Sequence, residues 1–301
     1  MDDLVYDKIM KAGRIAGEAR EFGLDLIKPG VSYHEVAEKI EQKIFDNNAS
    51  LAFPANIAVN EKAAHYTPST NDEHVFKKGD LVKIDVGAHV DGYIGDTAAT
   101  VEVEANRYNS LIGASSTALE NAIAMIKPEL NLRDVGKKIE KTINKFGFKP
   151  IDNLTGHSME RYNLHSGVSI PNVTTSYGSE VEEDMVLAIE PFATDGKGHV
   201  NSGDGSNIYR VTESIRSKMV RRRKYKLLYK KIRKKFNALP FSSRDFTKHF
   251  SDENENMLKR LSFLGMLKHY PQLIEQEDGI VSQTEHTMIV TEDGCEVTTK
   301  I

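Results

Sequence analysis

The chain has 301 residues, 39% of them apolar and 28% charged, with a formal net charge of −4. That length supports a substantial core and that composition is ordinary for a soluble globular protein, while no apolar run approaches the roughly 18 residues that a membrane span needs. The single cysteine, Cys295, excludes a disulfide scaffold and thiolate metal clusters, and the acidic start MDDLVYDKIM lacks both parts of a signal peptide; a cytoplasmic monomer with no membrane attachment is expected.

Asp3–Phe22 has helical spacing, with Ile9, Ala12, Ile15, Ala16 and Ala19 on one face. Ile27–Ile44, IKPGVSYHEVAEKIEQKI, reads as a turn and a second helix, with Ser32 as N-cap and Glu35 completing a capping box. The design recurs 99 residues later as IKPELNLRDVGKKIEKTI, Ile126–Ile143, with Asn131 as cap, and eight of the eighteen positions are identical. An amphipathic segment precedes each copy, Tyr108–Met125 in the second. The repeat predicts two related halves about a pseudo-twofold axis.

Ser50–Thr70 has mixed strand and loop character and carries His65 near its end. Val82–Val101, VKIDVGAHVDGYIGDTAATV, alternates with period two about Asp91-Gly92, a hairpin turn signal. A two-residue loop there sets Asp85 opposite Ala98 and one diagonal step from Asp96; a loop centred on Val90-Asp91 would oppose Asp85 and Asp96 directly. Either way two carboxylates meet on one face, which is destabilising without a compensating cation. His89, near the turn, is expected to be solvated, and Asp91 to serve the turn.

Lys149–Val168 contains NLTGHSMERYNLHSG, with His157 and His165. MVLAIEPF, Met185–Phe192, reads as a buried strand around Glu190, and IVSQTEHTMIV, Ile280–Val290, as another around Glu285. His286 falls on the opposite strand face from Glu285. Asp293-Gly294 turns the chain into a closing hairpin, Cys295–Thr299. Between Glu190 and Glu285 lie 94 residues, more than neighbouring strands require. Within them Lys218–Lys235 holds eleven Lys and Arg and no acid, with Tyr225, Leu228, Ile232 and Phe236 at helical spacing. Met257, Leu258, Leu261, Leu264 and Leu267 form a second apolar stripe ended by Pro271. About 210–275 is therefore expected to be a helical insert on one catalytic domain spanning 1–301.

Carboxylates inside strands are costly unless paired or metal-bound. Asp85, Asp96, Glu190 and Glu285, with His157 in a polar loop, make an oxygen-rich set with one imidazole, which suits Mn²⁺, Fe²⁺, Co²⁺ or Zn²⁺. Four carboxylates balance two divalent ions, so the residues point to a dinuclear metal hydrolase.

The ordered set IDVGAHVDGYIGDTA, LTGHSMERYNLHSG, AIEPFAT and QTEHTMIV resembles the methionine aminopeptidase family, and FPANIAVNEKAAHYTP with the long insert is similar to its type 2 branch in the short archaeal form. The resemblance covers essentially the whole chain. It implies the pita-bread fold, an α/β (α+β) sandwich with a pseudo-twofold antiparallel sheet covered by helices. It implies Asp85 as bidentate ligand of one metal, Asp96 and Glu285 as bridges, and His157 and Glu190 as ligands of the second, with Glu190 also shuttling the proton. His65 would contact the leaving-side amide, His165 the scissile carbonyl, and Phe53 and Pro54 the methionine side chain. The implied reaction is removal of the initiator methionine from nascent chains, with a small second residue preferred. A catalytically inactive binding protein of the same fold, contacting RNA or the ribosome, is the competing reading; the five intact ligands weigh against it. A proline-specific peptidase of the superfamily would carry a further N-terminal domain, for which too little chain precedes Asp85. The basic segment Lys218–Lys235 suggests a contact with ribosomal RNA.

Overall fold

A computed structural model of the chain describes residues 1–212, 214–251, 253 and 256–301. The first half opens with α1 (Asp3–Leu26), capped by Asp2, and α2 (Tyr33–Asp46). Ser32 caps α2 by accepting from the His34 amide, whereas Glu35 turns outward to Lys39 at 2.6 Å. The expected capping box is thus a single cap, because an exposed lysine one turn on competes for the glutamate.

Strands β1 (Ser50–Val59), β2 (Lys62–Ala64), β3 (Leu81–Val90) and β4 (Tyr93–Glu102) follow, and β1, β3 and β4 form one antiparallel sheet in that order. The β3–β4 turn is the two-residue Asp91-Gly92 loop: Val90 pairs with Tyr93, Asp85 with Ala98 and Gly87 with Asp96. Both loop residues take positive φ, 51° and 89°, as a type I′ turn requires. His89 is not solvated as expected; it is half-buried, its Nδ1 accepts from the Gly92 amide at 3.0 Å, and its ring packs on Tyr162. Helix α1 lies so close to β4 that a Cβ on Gly95 would fall 2.4 Å from the Cα of Gly13. Ile15, Ala19, Val36, Ile40, Ile57, Ile84 and Val86 fill the space between helices and sheet. Each large aliphatic side chain buried this way is worth about 1.5–3 kcal/mol.

The second half repeats the opening with α3 (Asn109–Ile123) and α4 (Leu132–Lys145), the latter capped by Asn131. Strands β5 (Lys149–Pro150), β6 (Thr155–Met159), β7 (Ser169–Pro171), β8 (Val186–Ile189), β9 (Phe192–Thr194) and β10 (Val200–Val211) come next. The expected strand around Glu190 is therefore two strands, parted at Glu190-Pro191, where the proline has no amide to donate.

Beyond β10 come α5 (Ile215–Met219), α6 (Arg223–Phe236), β11 (Phe241–Ser242), α7 (Ser243–His249) and α8 (Asn256–Phe263). The chain returns through β12 (Leu267–Glu275), β13 (Val281–Gln283), β14 (His286–Val290) and β15 (Cys295–Val297). The expected helical stretch of 210–275 is thus narrower. Val211 pairs with Leu267 and Val200 with Glu275, so the helices stand at the end of a two-stranded ribbon. Leu267 and Pro271 belong to β12 and not to a helix, with Pro271 opposite Gly205 between two register shifts. The insert has its own core, in which Tyr225, Leu228 and Ile232 of α6 meet Phe241, Phe246, Leu258 and Leu261. All eleven lysines and arginines of Lys218–Lys235 are exposed.

The remaining sheets run β15-β14-β8-β6-β7, β13-β9-β5 and β11-β10-β12-β2. The strand expected around Glu285 is also broken, between β13 and β14. At that break the two halves meet: the Ala98 and Glu285 backbones exchange hydrogen bonds of 3.3 and 2.9 Å, and Thr97 Oγ1 donates to the Glu285 carbonyl. The Thr287 hydroxyl accepts from the Asp96 amide and donates to the Asp96 carbonyl, each at 2.8 Å. No helix among the described residues is long and apolar enough to cross a membrane. His286 lies across the strand from Glu285 and engages Thr299 Oγ1 at 2.8 Å, and Cys295 is half-buried beside the closing turn.

Candidate metal centre

One cavity opens along the seam between the halves. Asp85 enters it from β3, Asp96 from β4, His157 from β6, and Glu190 and Glu285 from the two strand breaks. The hairpin register places Asp85 and Asp96 on one face, and the breaks at Glu190-Pro191 and Thr284-Glu285 aim their carboxylates where regular strands would not. His157 Nε2 lies 3.6 Å from Asp96 Oδ2 and 4.0 Å from Glu190 Oε1. Ligand atoms of Asp96, His157 and Glu285 lie within 4.8 Å of one another, and all three residues are buried.

Hydrogen bonding leaves this group unsatisfied. Gln283 Nε2 donates to Glu190 Oε2 at 3.2 Å and to Glu285 Oε2 at 3.4 Å. Asp85 Oδ1, Asp96 Oδ1, Glu285 Oε1 and His157 Nδ1 are buried without a partner among the described residues. No Lys or Arg is among the described residues lining the cavity. Burial pushes the Asp85 carboxyl up to about 7. Burial, then the charges of Asp85 and Glu190, raise Asp96 well above the usual range. Glu190 rises through burial and Asp85, and Glu285 through burial and then Asp96, Glu190 and Asp85. Burial drives His157 down to about 3, so its imidazole is neutral and free to coordinate. Acceptors that are buried, mutually repelling and unpartnered fit hard divalent cations, with a neutral imidazole to complete the set.

The two other predicted histidines also line the cavity. The ring of His165 lies 4.3 Å from that of His157, and the ring of His65 meets Tyr270 edge-on at 5.1 Å. Burial lowers each of them to about 4. His65 takes φ 60° just beyond β2. Phe53, Leu164, Ile208, Pro240 and Tyr270 supply apolar wall. The predicted Pro54 is not among the lining residues; its carbonyl accepts from the Asn56 amide side chain. Sequence reasoning assigned no role to Leu164, Pro240 or Tyr270. Tyr270 carries no local signal of such a role, since its place at the cavity is set by the long-range pairing of β12 with β10 and β2.

Residues 7–292 match the model of metallopeptidase family M24. The chain is 46% identical over 296 residues to a methionine aminopeptidase of Methanocaldococcus jannaschii, covering 98% of each protein. The crystal structure of a methionine aminopeptidase from Thermotoga maritima superposes with a TM-score of 0.73 at 25% identity, across 100% of this chain and 98% of that one. A thermophilic Arx1 shares the fold at a TM-score of 0.85 and 18% identity, with 99% and 91% coverage. By these matches the chain belongs to the methionine aminopeptidases of metallopeptidase family M24.

Proposed function

We propose that the protein removes the N-terminal methionine from nascent proteins and peptides by hydrolysis, with two divalent ions held by Asp85, Asp96, His157, Glu190 and Glu285. The observation that carries this reading is the convergence of four carboxylates on one buried cavity with lone pairs left unused. Asp96 and Glu285, whose strands meet at the seam, would hold the ions together with Asp85, His157 and Glu190. When bound, such ions supply Lewis-acid polarisation of the amide and make the attacking water more acidic. Cobalt, manganese, iron and zinc all suit the donor set.

The side chains perform the rest. Glu190 accepts the proton of the attacking water and hands it to the leaving amine. His165, neutral at physiological pH, donates to the carbonyl oxygen as negative charge develops there. His65, equally neutral, contacts the amide on the leaving side. Phe53, Leu164, Ile208 and Tyr270 offer the apolar wall against which a flexible thioether packs. This reading includes a preference for a small second residue.

Stripping the protein with a chelator is expected to abolish cleavage of Met-Ala-Ser peptides, and Co²⁺ or Mn²⁺ to restore it. Activity indifferent to chelation, or absent with every divalent ion, overturns the reading. The inactive-binder alternative predicts the second of these outcomes.

The exposed basic helix supports a contact of a cytoplasmic, monomeric enzyme with RNA at the ribosome, close to its emerging substrates. The eleven cations of Lys218–Lys235 face solvent, and eight of them lie on α6, which Tyr225, Leu228 and Ile232 hold down. Replacing Arg221, Arg222 and Arg223 by alanine is expected to reduce co-sedimentation with ribosomes in a salt-dependent manner. Unchanged pelleting at every salt concentration removes this contact from the account.

A further inference from the structure

We propose that Arg244, on the insert, is a positioning residue for the substrate pocket, acting through Glu41 and Thr67 on an irregular turn of β1. The inference rests on the reading of the cavity as a peptide site.

Strand β1 does not pair evenly with β3. Its register shifts twice, between Leu51 and Phe53 and between Phe53 and Asn56, so Ala55 has no partner in the β3 ladder. The two residues flanking the second shift, Phe53 and Asn56, both line the cavity, and Asn56 pairs with Asp85. The backbone of Ala55 is held instead by side chains. Its amide donates to Glu41 Oε1 at 3.2 Å, and its carbonyl accepts from Thr67 Oγ1 at 2.9 Å.

Both of those side chains are fixed by one guanidinium. Arg244 Nη2 donates to Glu41 Oε1 at 2.7 Å and to Thr67 Oγ1 at 3.1 Å, while Nη1 reaches Glu38 at 2.6 Å. Arg244, Glu41 and Thr67 are 1%, 2% and 0% exposed, so water cannot replace these bonds. Arg244 is itself placed by the capping box at the start of α7, in which Ser242 and Asp245 bond reciprocally. Thr67 stands two residues beyond His65, and its amide and carbonyl are tied to Ser206 and Asn207 of β10. The insert thus reaches the core through one buried fork that fixes the wall carrying Phe53 and Asn56 and the loop carrying His65. A planar five-donor guanidinium suits this triple grip, and a lysine does not.

Three variants test the assignment. Thr67→Val removes the hydroxyl at the centre of the fork and keeps the shape; Thr67→Ser keeps the hydroxyl. The double variant Arg244→Met with Glu41→Gln removes the guanidinium without leaving a buried carboxylate unpaired. In the metal-loaded enzyme, Thr67→Val and the double variant are expected to raise KM for Met-Ala-Ser at least fivefold with kcat within twofold and metal content unchanged. Thr67→Ser and the surface control Lys39→Ala are expected to stay within twofold of the parent. Hydrogen exchange of the peptide spanning 52–57 is expected to accelerate at least tenfold in Thr67→Val and in the double variant, and to keep the parental rate in Thr67→Ser. Parental KM and parental exchange in folded Thr67→Val overturn the proposal, as does an equal KM rise in Thr67→Ser; if the double variant does not fold, the Thr67 pair decides. A parent enzyme without peptidase activity defeats the functional reading, and the exchange measurement then judges the fork by itself.

Discussion

Asp96 is the side chain at which stability and function pull in opposite directions, and its replacement by asparagine separates them. Its carboxylate has ligand atoms within 4.8 Å of those of Glu285. Two like charges that close repel by about 3.5 kcal/mol at an effective dielectric constant of about 20. Burial, Asp85 and Glu190 all hold the Asp96 carboxyl protonated above its ordinary range. A carboxyl with a raised folded-state pKa contributes no penalty below its unfolded value, about 4, and costs stability as pH rises through the folded value. Metal-free Asp96→Asn is therefore expected to be more stable than the metal-free parent, by little at pH 4 and by about 3 kcal/mol at pH 9. With Mn²⁺ present the order reverses, because the variant has lost a ligand and the parent gains the free energy of binding. Urea denaturation in chelator and in Mn²⁺, at both pH values, reads all four stabilities. Equal metal-free stabilities at pH 9 refute the electrostatic reasoning, and a fully active variant refutes the ligand assignment.

Gly95→Ala would set a Cβ 2.4 Å from the Cα of Gly13. Because the obstacle is backbone, the cost is expected near the top of the overpacking range, about 3 kcal/mol; an unchanged urea midpoint would show that α1 yields freely. His65 is depressed to about 4 by burial. Its folded form binds fewer protons than its unfolded form between about pH 4 and 6.5, so stability falls on acidification across that window, by up to about 3 kcal/mol. His65→Asn, which tolerates the positive φ, is expected to remove that part of the slope and lower kcat/KM at least tenfold. Identical pH–stability curves for parent and variant would contradict the burial argument.

The hairpin was legible because Asp91-Gly92 is a local turn signal and alternation fixes the face; of two registers open in the sequence, the structure takes the one that pairs Asp85 with Ala98. The paired helices were legible for the same reason, as the N-caps Ser32 and Asn131 are local. What escaped was set at long range. Glu190 and Glu285 read as strand interiors, but each stands at a break where the chain leaves one sheet for another. Tyr270 reaches the cavity on β12, whose Leu273 pairs with Ala64 beside His65. No local periodicity announces such a meeting. The insert was read as wholly helical because its flanks carry apolar residues at spacings that a twisted ribbon also satisfies.

The seam between the halves has a consequence for ancestry. Asp85 and Asp96 come from the first half, and His157, Glu190 and Glu285 from the second, while Ala98 and Glu285 exchange backbone bonds across the boundary. Neither half alone supplies all five proposed ligands. If the repeat reflects gene duplication, the single-copy precursor could have assembled such a centre only by pairing with itself, with the cation as the shared rivet of a symmetric dimer. Fusion into one chain would then free the two copies to diverge, which fits aspartates on one side of the cavity and the histidine and glutamates on the other.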